Sequence, residues 1–230
     1  MTINLVSSVT NIHLRNKMVW WYTPWIIVIS SFLINLMIAV LVNNKAIYSG
    51  GVAAIYVYML VLGIVTLNQT FPFAIGFSIR RRDYFYGTTA MVFLTSLIFT
   101  VLLSLLSVIE NNLFGSWGGQ LYFFHIPYFN EGNIFVQSWV IFTIMVYLFY
   151  LGFFISSIYR RFGKVGLTIY TIVILLVGSV FSAVFTYFGW WMILFSKISN
   201  YTAFQLSWWL IPFIMVDIIF SYFMLRKATI

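Results

Sequence analysis

The chain has 230 residues, of which 63% are hydrophobic, 21% aromatic and 7% charged, with a formal net charge of +8 and a mean hydropathy of +1.01. A water-soluble domain carries about 25% charged residues, so most of this surface faces something other than water. The absence of cysteine excludes disulfides, thiolate metal sites and a cysteine nucleophile, and basic residues scattered in short gaps between apolar runs do not form a nucleic-acid-binding face.

Residues 1–22, "MTINLVSSVTNIHLRNKMVWWY", are too polar to span a bilayer. Ile3, Val6, Val9, Leu14 and Met18 follow a rough helical stripe, with Asn11, Arg15 and Lys17 among the polar positions. The pattern predicts an amphipathic helix lying on a membrane surface, anchored by Trp20 and Trp21. The first long apolar run begins near Trp25, too late and too long for a signal peptide, so it is expected to be retained.

Six runs of membrane-spanning length follow, at about 24–43, 52–76, 84–109, 134–158, 165–189 and 205–225. The expected fold class is therefore all-α, a single polytopic membrane domain over residues 1–230 with six spans after the interfacial helix. Only the connection at 110–133 is long. Orientation follows from the positive-inside rule. With the N-terminus in the cytoplasm, Arg15, Lys17, Arg80, Arg81, Arg82, Arg160, Arg161, Lys164, Arg226 and Lys227 fall inside, and only Lys45 and Lys197 fall outside. Both termini are then cytoplasmic. Trp20, Trp21 and Trp25 mark the inner boundary, and the other six tryptophans lie in or near outer segments.

Between the second and third spans stands "FPFAIGFSIRRRDYFYGTT", residues 71–89. Pro72 and Gly76 are expected to end the second span and Ser78 to cap a short helix. That helix carries Arg80, Arg81, Arg82, Asp83 and Tyr84 before the third span begins at Gly87. Arg and Tyr dominate protein–protein hot spots, and Arg also binds lipid phosphate, so the stretch reads as a docking peg or as a headgroup anchor. A similar Ser-Ile-x-Arg-Arg pattern recurs at Ser157, Arg160 and Arg161. It is read as two hairpins meeting the same demands rather than as a duplication.

In this stretch, and in the terminal "LRKATI", the chain resembles the permease subunits of ABC-2 type exporters, in particular the small Gram-positive members that export peptides or drugs. The resemblance covers the whole chain in topology and these two stretches in motif. It implies that residues 78–86 are the coupling helix, with Arg80 to Tyr84 as the face that meets a separate ATPase. It also implies two copies of that ATPase, carrying ATP and Mg, and a second permease chain, identical or related, in a bacterial cell membrane. The chain itself has no G-x-x-x-x-G-K-[ST] phosphate loop, so no cofactor is expected on it and energy must come from a partner. Residues 190–204 resemble the partly re-entrant helix of such permeases.

Few other residues point to chemistry. Asp217 lies roughly 12 Å from the inner end of the last span, where an acid must be paired, neutral or facing water. It reads as a contact in a translocation path or as a tie between helices, and Asn35, Asn68 and Gln69 read in the same two ways. Glu110, His125 and Glu131 share the outer connection, but their spacing matches no catalytic or metal motif. No catalytic or metal site is expected. An amphipathic substrate fits the aromatic content (an antimicrobial or secreted peptide, a drug or a lipid-like molecule). A lipid-modifying enzyme and a non-catalytic scaffold or sensor are the alternatives.

Overall fold

The computed structural model describes residues 2–42, 46–117, 120–125 and 132–228, with side chains at all of these except 2–5 and 113–114. Lys45, Glu131, Asn130 and the apolar residues 126–129 lie outside the described residues. The chain is all-α, in the order α1 (Thr2–Arg15), α2 (Thr23–Val42), α3 (Ala53–Gly76), α4 (Arg81–Ile109), α5 (Ile134–Tyr187), α6 (Trp190–Ser199) and α7 (Ala203–Arg226). A π-helical turn, Met18–Tyr22, joins α1 to α2. Two short extended segments, β1 (Ile47–Tyr48) and β2 (Leu121–Tyr122), pair in parallel with Ile47 opposite Leu121. Among the described residues, five helices are long and apolar enough to cross a membrane: α2 with its π turn, α3, α4, α5 and α7.

The sequence predicts two spans where the structure has the single element α5. As a straight rod its 54 residues would reach about 81 Å, far beyond a hydrocarbon core of about 30 Å. It is not straight. Gly163 sits at φ 70°, ψ −163°, a conformation open to glycine because it lacks Cβ. Phe154 and Tyr170 would lie about 24 Å apart on a straight helix, yet their rings are 5.9 Å apart, edge to face. The chain therefore doubles back at Gly163, and the arms 134–162 and 164–187 lie side by side next to the turn.

The core is built from α3, α4 and the first arm of α5. In lipid, apolar burial does not drive helices together, so close packing and polar ties must do it. Gly63 of α3 faces the backbone of Phe149 and Phe153, and Gly152 of α5 faces the backbone of Leu60. A Cβ at either position would collide with main chain, so the two glycines permit backbone contact between the helices. Ser156 Oγ donates to the Ile64 carbonyl at 3.0 Å across the same seam. By contrast, the second arm of α5 and α6 are exposed along almost their whole length.

Helix ends follow local chemistry. Thr202 and Gln205 form a reciprocal capping box at the start of α7: the Thr202 N–H donates to Gln205 Oε1 at 3.0 Å, and the Gln205 N–H donates to Thr202 Oγ1 at 3.3 Å. The α3 terminus corrects the sequence reading. Ser78 does not cap a following helix. It adopts φ 58° as the left-handed residue that ends α3. Its N–H donates to the Ile75 carbonyl at 2.9 Å, and that of Ile79 to Ala74 at 3.2 Å, with Ile79 and Ala74 both buried. This is a Schellman closure. Pro72 lies within α3 rather than ending it. Arg80 then starts α4 with extended backbone and no side-chain cap, and α4 continues unbroken to Ile109. The separate short helix expected over 78–86 is instead a four-residue turn and the opening turns of α4.

Candidate functional site: the basic end of the bundle

The end of α3, the start of α4, the Gly163 turn and the end of α7 meet at one end of the bundle. Arg81 Nη1 donates to the Arg226 carbonyl at 2.8 Å, Arg160 Nη2 to the Asn68 carbonyl at 2.8 Å, and Arg161 Nη1 reaches Met224 Sδ at 3.8 Å. Arg160 is thus a tie between α5 and α3, with its Nε buried, and not merely a topological charge.

The start of α4 is held from three sides. On the α3 side, Tyr84 is fully buried, its hydroxyl 2.7 Å from Thr70 Oγ1 and its ring 5.3 Å from Phe71. On the α7 side, Phe85 packs edge to face on Tyr222 at 5.3 Å. The third side is α1, which sequence reading placed on a membrane surface but which docks on α4. A Cβ on Gly87 would strike Val9 and the Val6 carbonyl, so this glycine sets how close α1 comes. Thr10 Oγ1 lies 3.3 Å from the Gly87 carbonyl, and His13 Nε2 is 3.1 Å from Thr88 Oγ1.

His13 was not legible as a core residue, yet it is fully buried. It packs between Trp20, at 5.0 Å between centroids, and Tyr84, at 6.2 Å. Burial pushes its imidazole down to about 4, so it is neutral near pH 7. Trp20 is likewise no interfacial anchor: it is buried against His13 and Phe149. Met18, expected on the apolar stripe, is exposed. The buried face of α1 runs through Val9, a residue of the expected stripe, and through His13, which is not part of it.

These contacts divide the candidate docking residues. Asp83 and Tyr84 are buried, and Asp83 Oδ2 has no hydrogen-bond partner. They cannot form a contact face in this conformation. Ser78, Arg80 and Arg82 are exposed, as are Phe77 and Tyr86, and Arg82 lies over the Tyr86 ring at 5.7 Å. Arg81 is half-buried and turned toward α7. The outward surface is therefore Phe77, Ser78 and Arg80 on the turn, with Arg82 and Tyr86 on the first turns of α4.

The possible path residues do not converge. Asn35 belongs to the opposite end: its Nδ2 donates to the Ser31 carbonyl at 2.8 Å, and its Oδ1 accepts from Ser49 Oγ at 2.7 Å. Asn68 Nδ2 donates to the Ile64 carbonyl of its own helix at 3.1 Å, and Gln69 is exposed. Asp217 is half-buried in α7, and its Oδ2 lacks a hydrogen-bond partner.

At the opposite end, Glu110 is fully buried and organises the connection after α4. Its Oε2 accepts from Trp117 Nε1 at 2.7 Å, Phe123 N at 3.0 Å and Phe124 N at 2.9 Å, and its Oε1 accepts from His125 N at 2.9 Å. With four donors on one carboxylate, the residue is a clamp rather than a free acid. His125 Nδ1 is 2.7 Å from Asn111 Nδ2. Among the described residues no three His, Cys, Asp or Glu side chains gather into a metal-binding group.

No family model, no curated protein and no solved structure matches this chain.

Proposed function

We propose that the chain is the permease subunit of an ATP-driven exporter of the ABC-2 type. In this reading it crosses a bacterial cell membrane six times, α5 supplying two spans through its reversal at Gly163, with both termini in the cytoplasm. The observation that carries the reading is the outward surface at the basic end. The turn after α3 exposes Phe77, Ser78 and Arg80, and the first turns of α4 expose Arg82 and Tyr86, in the stretch that resembles a coupling helix. Arg and Tyr are hot-spot residue types, and a turn tied to α1, α3 and α7 can pass a push from an ATPase into the bundle. Two ATPase subunits, binding ATP and Mg, and a second permease chain complete the assembly. The substrate is amphipathic.

The test is charge reversal at Arg80 and Arg82, with co-purification of the ATPase as readout. Loss of a buried interfacial charge contact typically costs about 2–5 kcal/mol, so affinity falls by well over tenfold at about 1.4 kcal/mol per decade. Lys164→Glu, an exposed site in the Gly163 turn, is the control and leaves the complex intact. Arg160 is unsuitable as a control because its reversal breaks the tie to Asn68. Equal retention of the ATPase by Arg80→Glu/Arg82→Glu and by the control overturns the docking assignment.

A further inference from the structure

The first turn of α4 and the end of α7 enclose a half-open cleft of about 340 Å³, lined by Arg81, Arg82, Tyr222, Leu225 and Arg226. Three guanidinium-bearing residues thus border one small space, and no carboxylate is among its lining residues. Arg81 is pinned there by its bond to the Arg226 carbonyl, where it also satisfies an end carbonyl of α7. Arg82 is held against Tyr86. Like charges gathered without a counter-ion repel, and an anion between them removes that penalty. The described acids do not supply it. Asp83 is buried and not among the lining residues, Glu110 is engaged at the opposite end, and Asp217 lies more than two turns back along α7.

Arginine's planar fork matches phosphate oxygens in pairs. The remaining wall, Tyr222 and Leu225, is largely apolar, and α7 next to the cleft presents Ile219, Phe220 and Phe223 outward. A ligand with a phosphate head and a hydrocarbon tail fits both halves. We infer that this cleft holds the phosphate of an anionic membrane phospholipid, its acyl chains lying along the exposed face of α7. The inference rests on the membrane reading above but not on ATPase docking: Arg82 borders both the cleft and the docking surface, whereas Arg226 belongs to the cleft alone and Arg80 to the docking surface alone. The lipid would brace the end of α7 against the start of α4.

The experiment uses the full chain purified in detergent, with binding read by native mass spectrometry and thermal shift. Short-chain phosphatidylglycerol, short-chain phosphatidylcholine and inorganic phosphate are titrated separately. Phosphatidylglycerol is expected to bind at least about tenfold more tightly than phosphatidylcholine, and inorganic phosphate at equal concentration is expected not to displace it. Losing one charge-assisted contact weakens binding by about tenfold or more, so Arg226→Gln shows that drop while Lys197→Gln, on α6, does not. Should Arg81→Gln fail to fold, Arg81→Lys keeps the charge, loses the fork and gives an intermediate loss. Equal binding of the two lipids, or unchanged binding by Arg226→Gln, overturns the inference. Displacement by inorganic phosphate overturns the lipid assignment and makes the cleft a free-anion site. Arg226→Gln retains the ATPase and Arg80→Glu retains phosphatidylglycerol, so failure of one proposal is distinguishable from failure of the other.

Discussion

Acidification should release α1 from α4, and His13 sets how much. Its imidazole is held near pKa 4 by burial, against an ordinary value of about 6.5. The released helix binds a proton more readily than the docked one, so docking is strongest above about pH 6.5. It weakens as pH falls and levels off below about pH 4. A depression of that size corresponds to about 3 kcal/mol of docking free energy at most, on the order of a hundredfold in the docked population. Thr88, Tyr84 and Trp20 face the ring, and none carries a charge that could offset its protonation. The assay is hydrogen exchange of the α1 amides, after correction for the pH dependence of intrinsic exchange, with Trp20 fluorescence as a second signal. In the wild type, α1 protection should drop between pH 7 and pH 4.5 while α3 protection holds. In His13→Gln the pH slope should flatten. A wild type with equal corrected protection at both pH values, or a variant with the wild-type slope, would refute the reasoning.

Three further perturbations probe the scaffold. Gly152→Ala sets a Cβ against the Leu60 backbone, which cannot swing aside, and should cost about 1–3 kcal/mol, read as a lowered midpoint of thermal aggregation in detergent. Glu110→Gln removes the charge that holds four donors and should cost about 2–3 kcal/mol, seen as increased quenching of Trp117 while the basic end is unaffected. Asp217→Asn breaks no hydrogen bond at Oδ2 and should preserve assembly and export; loss of export with normal expression and ATPase docking would place Asp217 in the path.

Much of the architecture is written in hydropathy. The apolar runs predicted at 52–76 and 205–225 match α3 and α7 to within two residues, because a helix needing lipid on its outside cannot hide its ends. Gly163 is legible as a turn only through its neighbours: the chain stays helical on both sides, and a single left-handed residue reverses it. What the sequence concealed depends on tertiary partners. Ser78 has the composition of an N-cap, but the buried pairing of Ile79 with Ala74 makes it a C-terminal residue of the left-handed type. His13 and Trp20 look like the polar and anchoring positions of a surface helix. His13 is buried where Gly87 of α4 lets α1 approach closely, and Trp20 where it packs on His13 and Phe149. Glu110 finds its four donors up to fifteen positions downstream, a geometry no local pattern encodes. Arg81 and Arg82 are adjacent in sequence, but Arg81 turns to the α7 carbonyl and Arg82 to Tyr86. The arginine run therefore serves more than one surface.

The central claim, that the turn before α4 docks an ATPase, is tested most directly by cross-linking from Arg80. The chain has no cysteine, so Arg80→Cys places a single thiol on the outward surface, and Lys197→Cys places one on α6, at the opposite end. A short thiol-to-amine cross-linker is applied in native membranes and the product is identified by mass spectrometry. The account predicts that Arg80→Cys, and not Lys197→Cys, captures a protein carrying the G-x-x-x-x-G-K-[ST] phosphate loop, and that excess ATP and Mg change the yield. Capture of no such protein from Arg80→Cys, at normal expression and insertion, would contradict it.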